Sequence, residues 1–362
     1  MSTKRRLAAT SLAVLTVFAA LAGCSRAGSG DSAAAPAASD DKGPAAEVRL
    51  GYFPNVTHAA ALIGVDKGLF AKELGSTKLT TQTFNAGPDE VNALLGGSLD
   101  VAFIGSGPAI NAYAKSKGEA VRLIAGATSG GAQLVVKPDI NTPADLKGKT
   151  ISTPQLANTQ DVSLKKWLAD QKLTIGSGPD QVNVTNTENS ASLDLFKKGD
   201  IQGVWAPEPW SSRLVIDAGA KVLVDEKALW DQGKFPTTVI IVRTRFLKEH
   251  PQTVEALLKG EVAAIDWAAA NKAEAKTTVN TSLKNLTSKA LGEPVLDRAF
   301  DSIELTVDPQ AKQFPQLAKD AVTAGVAKEA ADVTGFADFT LLNKVLSAAG
   351  KPAVDASGLD KK

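Results

Sequence analysis

One stretch restricts this chain more than any other: residues 97–115, GSLDVAFIGSGPAINAYAK. Val101-Ala102-Phe103-Ile104 is a short apolar run between Asp100 and Gly105, the pattern of a buried strand. Gly105-Ser106-Gly107-Pro108 turns the chain, and Pro108 suits a first helical position, where a missing N–H costs nothing. Ala109 to Lys115 continues as helix. A strand, a small-residue turn and a helix start together leave backbone N–H groups pointing one way, which suits an anion. An ordinary strand-to-helix connection in an α/β domain accounts for the same residues equally well.

The unit has an echo. A helix closing in glycine leads into GSLDVAFIGSGP at Gly97, and another leads into GDIQGVWAPEPW at Gly199. Leu99 aligns with Ile201 and Phe103 with Trp205. A third strand, ending at Ser152, feeds a loop and a helix opening at Asn158-Thr159, residue types that cap helices. Strands and helices alternate from residue 47 to about 242, and the remainder reads as mostly helical. This is the pattern of parallel sheets with crossover helices, and ligands of such sheets bind off the carboxyl ends of the strands. Two such halves facing one another would form a cleft lined by backbone donors.

The ends of the chain and its charge exclude other classes. Formal net charge is +1 over 362 residues, so nothing suggests nucleic acid. Lys4-Arg5-Arg6 precedes an apolar run at residues 7–20, too short for a comfortable membrane span, and Leu21-Ala22-Gly23-Cys24 follows. This tetrapeptide resembles the lipobox of bacterial lipoproteins, which implies lipidation at Cys24, the only cysteine. Residues 1–23 then form a signal peptide, and the Gly/Ser/Ala-rich residues 24–46 a flexible tether. The two histidines, His58 and His250, lie far apart and suggest no metal site; His58 would either touch ligand from its loop end or, as the favoured reading, be a solvated residue at a helix start.

Taken together, LGYFPNVTHAAALIGVDKGLF, AGPDEVNALLGGSLDVAFIGSGPAI, LKGKTISTPQLANTQDVSLKKWL and VWAPEPW resemble the substrate-binding proteins of ABC importers in the nitrate/sulfonate/taurine family, with the aliphatic-sulfonate branch nearest. The resemblance implies an α/β, type II periplasmic-binding-protein fold: two α/β lobes joined by a hinge, with the ligand cleft between them. The lobes would be residues 47–134 plus 238–362 and residues 135–237. It implies a monomer without a cofactor, held to the membrane through Cys24 on the extracytoplasmic face. The protein would capture a small anionic or zwitterionic solute, foremost an aliphatic sulfonate or taurine, for ABC permease subunits. Nitrate, bicarbonate or a pyrimidine (thiamine) precursor is the alternative solute.

The resemblance also places ligand contacts at the strand-end loops: Phe53, Asn55 and Thr57; Gly105, Ser106 and Gly107; Ser129 and Gly130; Asn158 and Thr159; Glu208 and Trp210. Neutral donors of this kind can hold a delocalised oxyanion without a counter-charge. Glu208 would either meet the ammonium of a zwitterion or, as the favoured reading, cap the next helix or pair with an arginine across the cleft. Trp205 is pocket wall or core. Related enzymes on this scaffold resemble ones that use a nucleophilic or clustered cysteine; here Cys24 is the sole cysteine, so no enzyme is expected.

Overall fold

The computed structural model describes residues 40–361. The signal-peptide and Cys24 expectations lie outside these residues. Strands β1 (Glu47–Tyr52), β2 (Lys78–Thr83), β3 (Val101–Ile104), β4 (Val121–Gly130), β10 (Pro236–Arg243) and β11 (Ile303–Leu305) form one sheet in the order β11-β4-β10-β3-β1-β2. Strands β5 (Ala132–Val136), β6 (Thr150–Thr153), β7 (Asn183–Asn186), β8 (Gly203–Pro207) and β9 (Lys221–Asp225) form the other, in the order β7-β6-β8-β5-β9.

The two orders correspond. In each sheet three neighbouring strands run parallel, and an antiparallel strand, β10 or β5, closes against the third. β3 and β8, the strands of the sequence echo, hold the same place in both. Val239 to Val242 form a continuous β-branched run buried on both faces, as a central strand requires.

Helices follow the strand ends. In the first sheet α1 (Ala59–Asp66), α2 (Leu69–Leu74), α3 (Gly87–Leu95) and α4 (Ser106–Lys115) connect β1 to β4. In the second, α5 (Thr159–Asp170), α6 (Asn189–Lys198) and α7 (Trp210–Ala218) follow β6, β7 and β8. After β10 come α8 (Thr244–Glu249), α9 (Pro251–Ala270), α10 (Lys272–Thr287), α11 (Glu293–Asp301), α12 (Phe314–Thr323) and α13 (Thr340–Ala348). The mostly helical reading of the ending names no strand there, and the structure adds β11, whose three residues pair with the end of β4. So short an edge strand carries almost no periodic signal.

The chain leaves the first sheet at Gly131 and returns between Asp225 and Pro236, so the expected lobe boundaries fall inside β5 and β10. Gly130 and Gly131 both have positive φ, 72° and 78°. A Cβ on Gly131 would lie 2.3 Å from Ile303 Cγ2, so only glycine lets the chain pass here. The expected tether also ends earlier than residue 46. Lys42 N–H donates to the Glu249 carbonyl (2.8 Å), and Ala45 N–H to the Thr253 hydroxyl (2.8 Å).

Candidate functional site

The carboxyl ends of β1, β3, β6 and β8 meet around a cavity of about 30 Å³, larger than the roughly 10–15 Å³ that one water needs. Its wall includes Gly87, at the start of α3, and Gly105, which opens α4. Asn158 and Thr159 open α5, and Asn189 opens α6. Each helix start carries N–H groups without intrahelical partners. The aligned peptide dipoles add roughly 0.3–1 kcal/mol per helix toward an anion, more where partly buried. Among the described residues, the wall contains no Arg, Lys, Asp or Glu.

The remaining donors are oriented by their own partners. Asn158 Oδ1 accepts from Asp161 N–H (2.9 Å), capping α5 as its sequence predicts. Asp161 in turn accepts from Ala157 N–H (2.9 Å), the Thr153 hydroxyl (3.1 Å) and the Asn186 amide (2.8 Å), which fixes the loop before the helix. Trp210 Nε1–H donates to Asn55 Oδ1 (3.0 Å), so the Asn55 amide keeps its N–H₂ as the available donor.

His58 is fully buried in the same wall, against the Phe53 ring (4.4 Å between centroids). Burial pushes its pKa down to about 3, the Phe103 carbonyl opposing the fall. The ring is therefore neutral. Its Nε2 lies 3.2 Å from the Phe103 carbonyl oxygen, an acceptor, so Nε2 carries the proton. Nδ1 then accepts from the Thr57 hydroxyl (3.2 Å). The expectation of a solvated His58 is corrected: it sits behind β3 rather than in water.

Of the expected contacts, Phe53, Asn55, Thr57, Gly105, Asn158 and Thr159 lie in the cavity wall. Trp210 lies in a neighbouring chamber instead. Ser106, Gly107, Ser129, Gly130 and Glu208 are outside the cavity wall. Gly107 N–H turns to the Thr159 hydroxyl (3.3 Å), and Ser129 and Gly130 are held in β4 by Pro236 and β11. Ser106 is fully buried within the α4 start, its hydroxyl without a partner.

Glu208 is also fully buried. Its Oε2 accepts from Ser212 N–H (3.1 Å) in the first turn of α7, and Oε1 from Arg298 of α11 (3.2 Å). Arg298 also donates to the Ser212 hydroxyl (2.8 Å) and Gln133 Oε1 (2.6 Å). Both parts of the favoured reading, cap and arginine pair, are present, and the carboxylate is spent on them. Trp205 is core, its ring 6.3 Å from that of Trp167.

Asn85, Gln160, Asn189, Thr237 and Thr238 line the cavity without having been expected there. Asn189 had a local signal: Thr187-Glu188-Asn189-Ser190 reads as a helix start after β7. Thr237 and Thr238 had none, since they lie within a β-branched strand.

A family model described as the NMT1-like family matches residues 41–283. The chain belongs to the NMT1-like family. Among its relatives, the taurine-binding periplasmic protein of Escherichia coli K12 is 32% identical over 200 residues, 54% of this chain and 58% of that protein, so the match spans under two thirds of its length. A Bacillus subtilis strain 168 protein, provisionally named for aliphatic-sulfonate binding, is 26% identical over 92% of this chain and 96% of its own. Among solved structures, the alkanesulfonate-binding protein of Xanthomonas axonopodis pv. citri bound to MOPS has a TM-score of 0.65 at 20% identity, covering 79% of this chain and 96% of that one. The fold of this NMT1-like chain is thus the type II periplasmic-binding-protein fold, two α/β lobes with the cavity between them. Among the described residues no helix is long and apolar enough to cross a membrane.

Proposed function

We propose that this chain is the extracytoplasmic solute-binding component of an ABC importer, taking a small oxyanion-bearing solute, foremost an aliphatic sulfonate or taurine, and presenting it to the permease. The observation that carries this reading is the cavity between the lobes: helix starts converge on it, and no ionised side chain lines it. A delocalised oxyanion satisfies several neutral N–H donors at once, whereas a cation or an apolar solute would leave them unpaired. The names of the taurine and sulfonate relatives support the same class. In this reading Cys24 carries the lipid anchor, and the chain acts as a monomer without a cofactor and without catalysis.

Titration calorimetry of the purified chain tests it. Methanesulfonate is expected to bind at one site per chain, with affinity that changes little between pH 5 and 8 because His58 stays neutral throughout. Absence of heat with sulfonates, nitrate and bicarbonate alike, from a chain with native circular dichroism, would refute the reading.

A further inference from the structure

The backbone crosses between the lobes at Gly131 and again between Asp225 and Pro236. A further connection, made by side chains, lies beside the first crossing. α11 leads into β11, where Ile303 pairs with Gly130, so this segment is tied to the first sheet at the hinge itself. Arg298 reaches from α11 to three acceptors, all of them in the second lobe. They are Glu208 Oε1 after β8 (3.2 Å), the Ser212 hydroxyl in α7 (2.8 Å) and Gln133 Oε1 in β5 (2.6 Å).

Glu208 passes this hold on to the cavity. Its N–H donates to the Gly131 carbonyl (2.8 Å), and its carbonyl accepts from Thr57 N–H (3.4 Å). Two residues on, Trp210 donates to Asn55 (3.0 Å). Thr57 and Asn55 belong to the first lobe and line the cavity; Arg298 does not. One residue of the second lobe thus meets the hinge, the cavity wall and α11. For the lobes to part, the Glu208–Trp210 turn must leave Thr57 and Asn55. Arg298 opposes that movement, because drawing a fully buried carboxylate away from its guanidinium leaves an uncompensated charge.

We propose that Arg298 is a positioning residue that sets the resting gap between the lobes: it holds the turn after β8 against Asn55 and Thr57 before any solute arrives, and so strengthens binding without touching the solute. The affinity of a two-state receptor falls in proportion to the fraction of chains already in the binding geometry. The effect on the gap does not depend on which solute binds.

The test uses the full chain with Cys24→Ser and spin labels on Asn92→Cys and Asp194→Cys, exposed positions on α3 and α6, one in each lobe. Double electron–electron resonance without solute reads the distance between the lobes. Glu208→Gln with Arg298→Met removes both charges together, so no carboxylate is stranded, and the new amide can still accept from Ser212 N–H. This pair of changes should lengthen the distance by several ångströms and weaken methanesulfonate roughly threefold or more in calorimetry. Arg298→Gln alone should act the same way, and it decides the matter if the double variant fails to fold. An unchanged or shorter distance in a folded variant overturns the inference, as does a longer distance with unchanged affinity. Failure of methanesulfonate to bind the unaltered chain counts against the oxyanion reading instead, and the distance then decides this inference by itself.

Discussion

The turn after β3 and the turn after β8 occupy the same place in their two sheets, yet they end differently. Gly105-Ser106-Gly107-Pro108 has no side chain long enough to reach its own helix start, so α4 opens toward the cavity. Pro207-Glu208-Pro209-Trp210 supplies a carboxylate, which occupies the first turn of α7 and is held there by Arg298. A shared strand–turn–helix therefore leaves a helix start open to the cavity in one lobe and makes a clamp from the second lobe onto α11 of the first in the other. What separates them is one side chain within reach of the N–H groups.

The largest expected effect comes from filling the open turn. A Cβ on Gly105 would lie 2.5 Å from the Thr159 hydroxyl oxygen of the facing lobe. Gly105→Val should weaken methanesulfonate by more than a thousandfold, about 4 kcal/mol, as read by calorimetry. Binding within tenfold of wild type would show that this turn does not frame the site.

Breaking the clamp comes next. Arg298→Leu leaves the buried Glu208 carboxylate without its charge partner, which should cost roughly 3 kcal/mol in urea unfolding. A loss under 1 kcal/mol would mean the clamp between the lobes matters little to stability.

The smallest effect, counted per unit of pH, concerns the residues behind the two aligned aromatics. Behind Phe103 stands neutral His58; beside Trp205 stands Glu226, fully buried. Burial pushes the Glu226 pKa up to about 8, with Ser163 pulling it back, Asp225 raising it further and Trp205 pulling it back. Folded Glu226 thus keeps a proton that the unfolded chain loses near pH 4.5, so its contribution is full at low pH and falls as pH rises toward 8. His58 acts the opposite way, its contribution falling as pH drops from 6.5 toward 3. Glu226→Gln should gain stability over wild type by about 1.4 kcal/mol per pH unit between pH 5 and 7.5, measured by denaturation at each pH. A constant difference would show that Glu226 does not hold its proton.

Much of this was legible beforehand. β1 follows from the alternation of EVRLGY, β3 and β10 from apolar runs, and the echo between Gly97 and Gly199 anticipated two matching halves. Gly105, Asn158 and Thr159 were readable because helix starts have local signatures. Arg298 was not: it sits in an unremarkable charged helix and meets Glu208 only through the packing of α11 on α7. His58 was misplaced for a related reason. Whether a histidine at a helix start faces water or a neighbouring strand depends on β3, which is distant in sequence.

The uncharged cavity wall has a consequence for release. If the solute is the oxyanion proposed above, nothing in that wall must gain or lose a proton to let it go, and no charged side chain of the wall must be dislodged. The donors come from both lobes, with Gly87 and Gly105 on one side and Thr159 and Asn189 on the other. In the proposed reading neither half alone is a receptor, so affinity becomes a function of the gap between them, and a permease that pries the halves apart would empty the site without titrating any group in its wall.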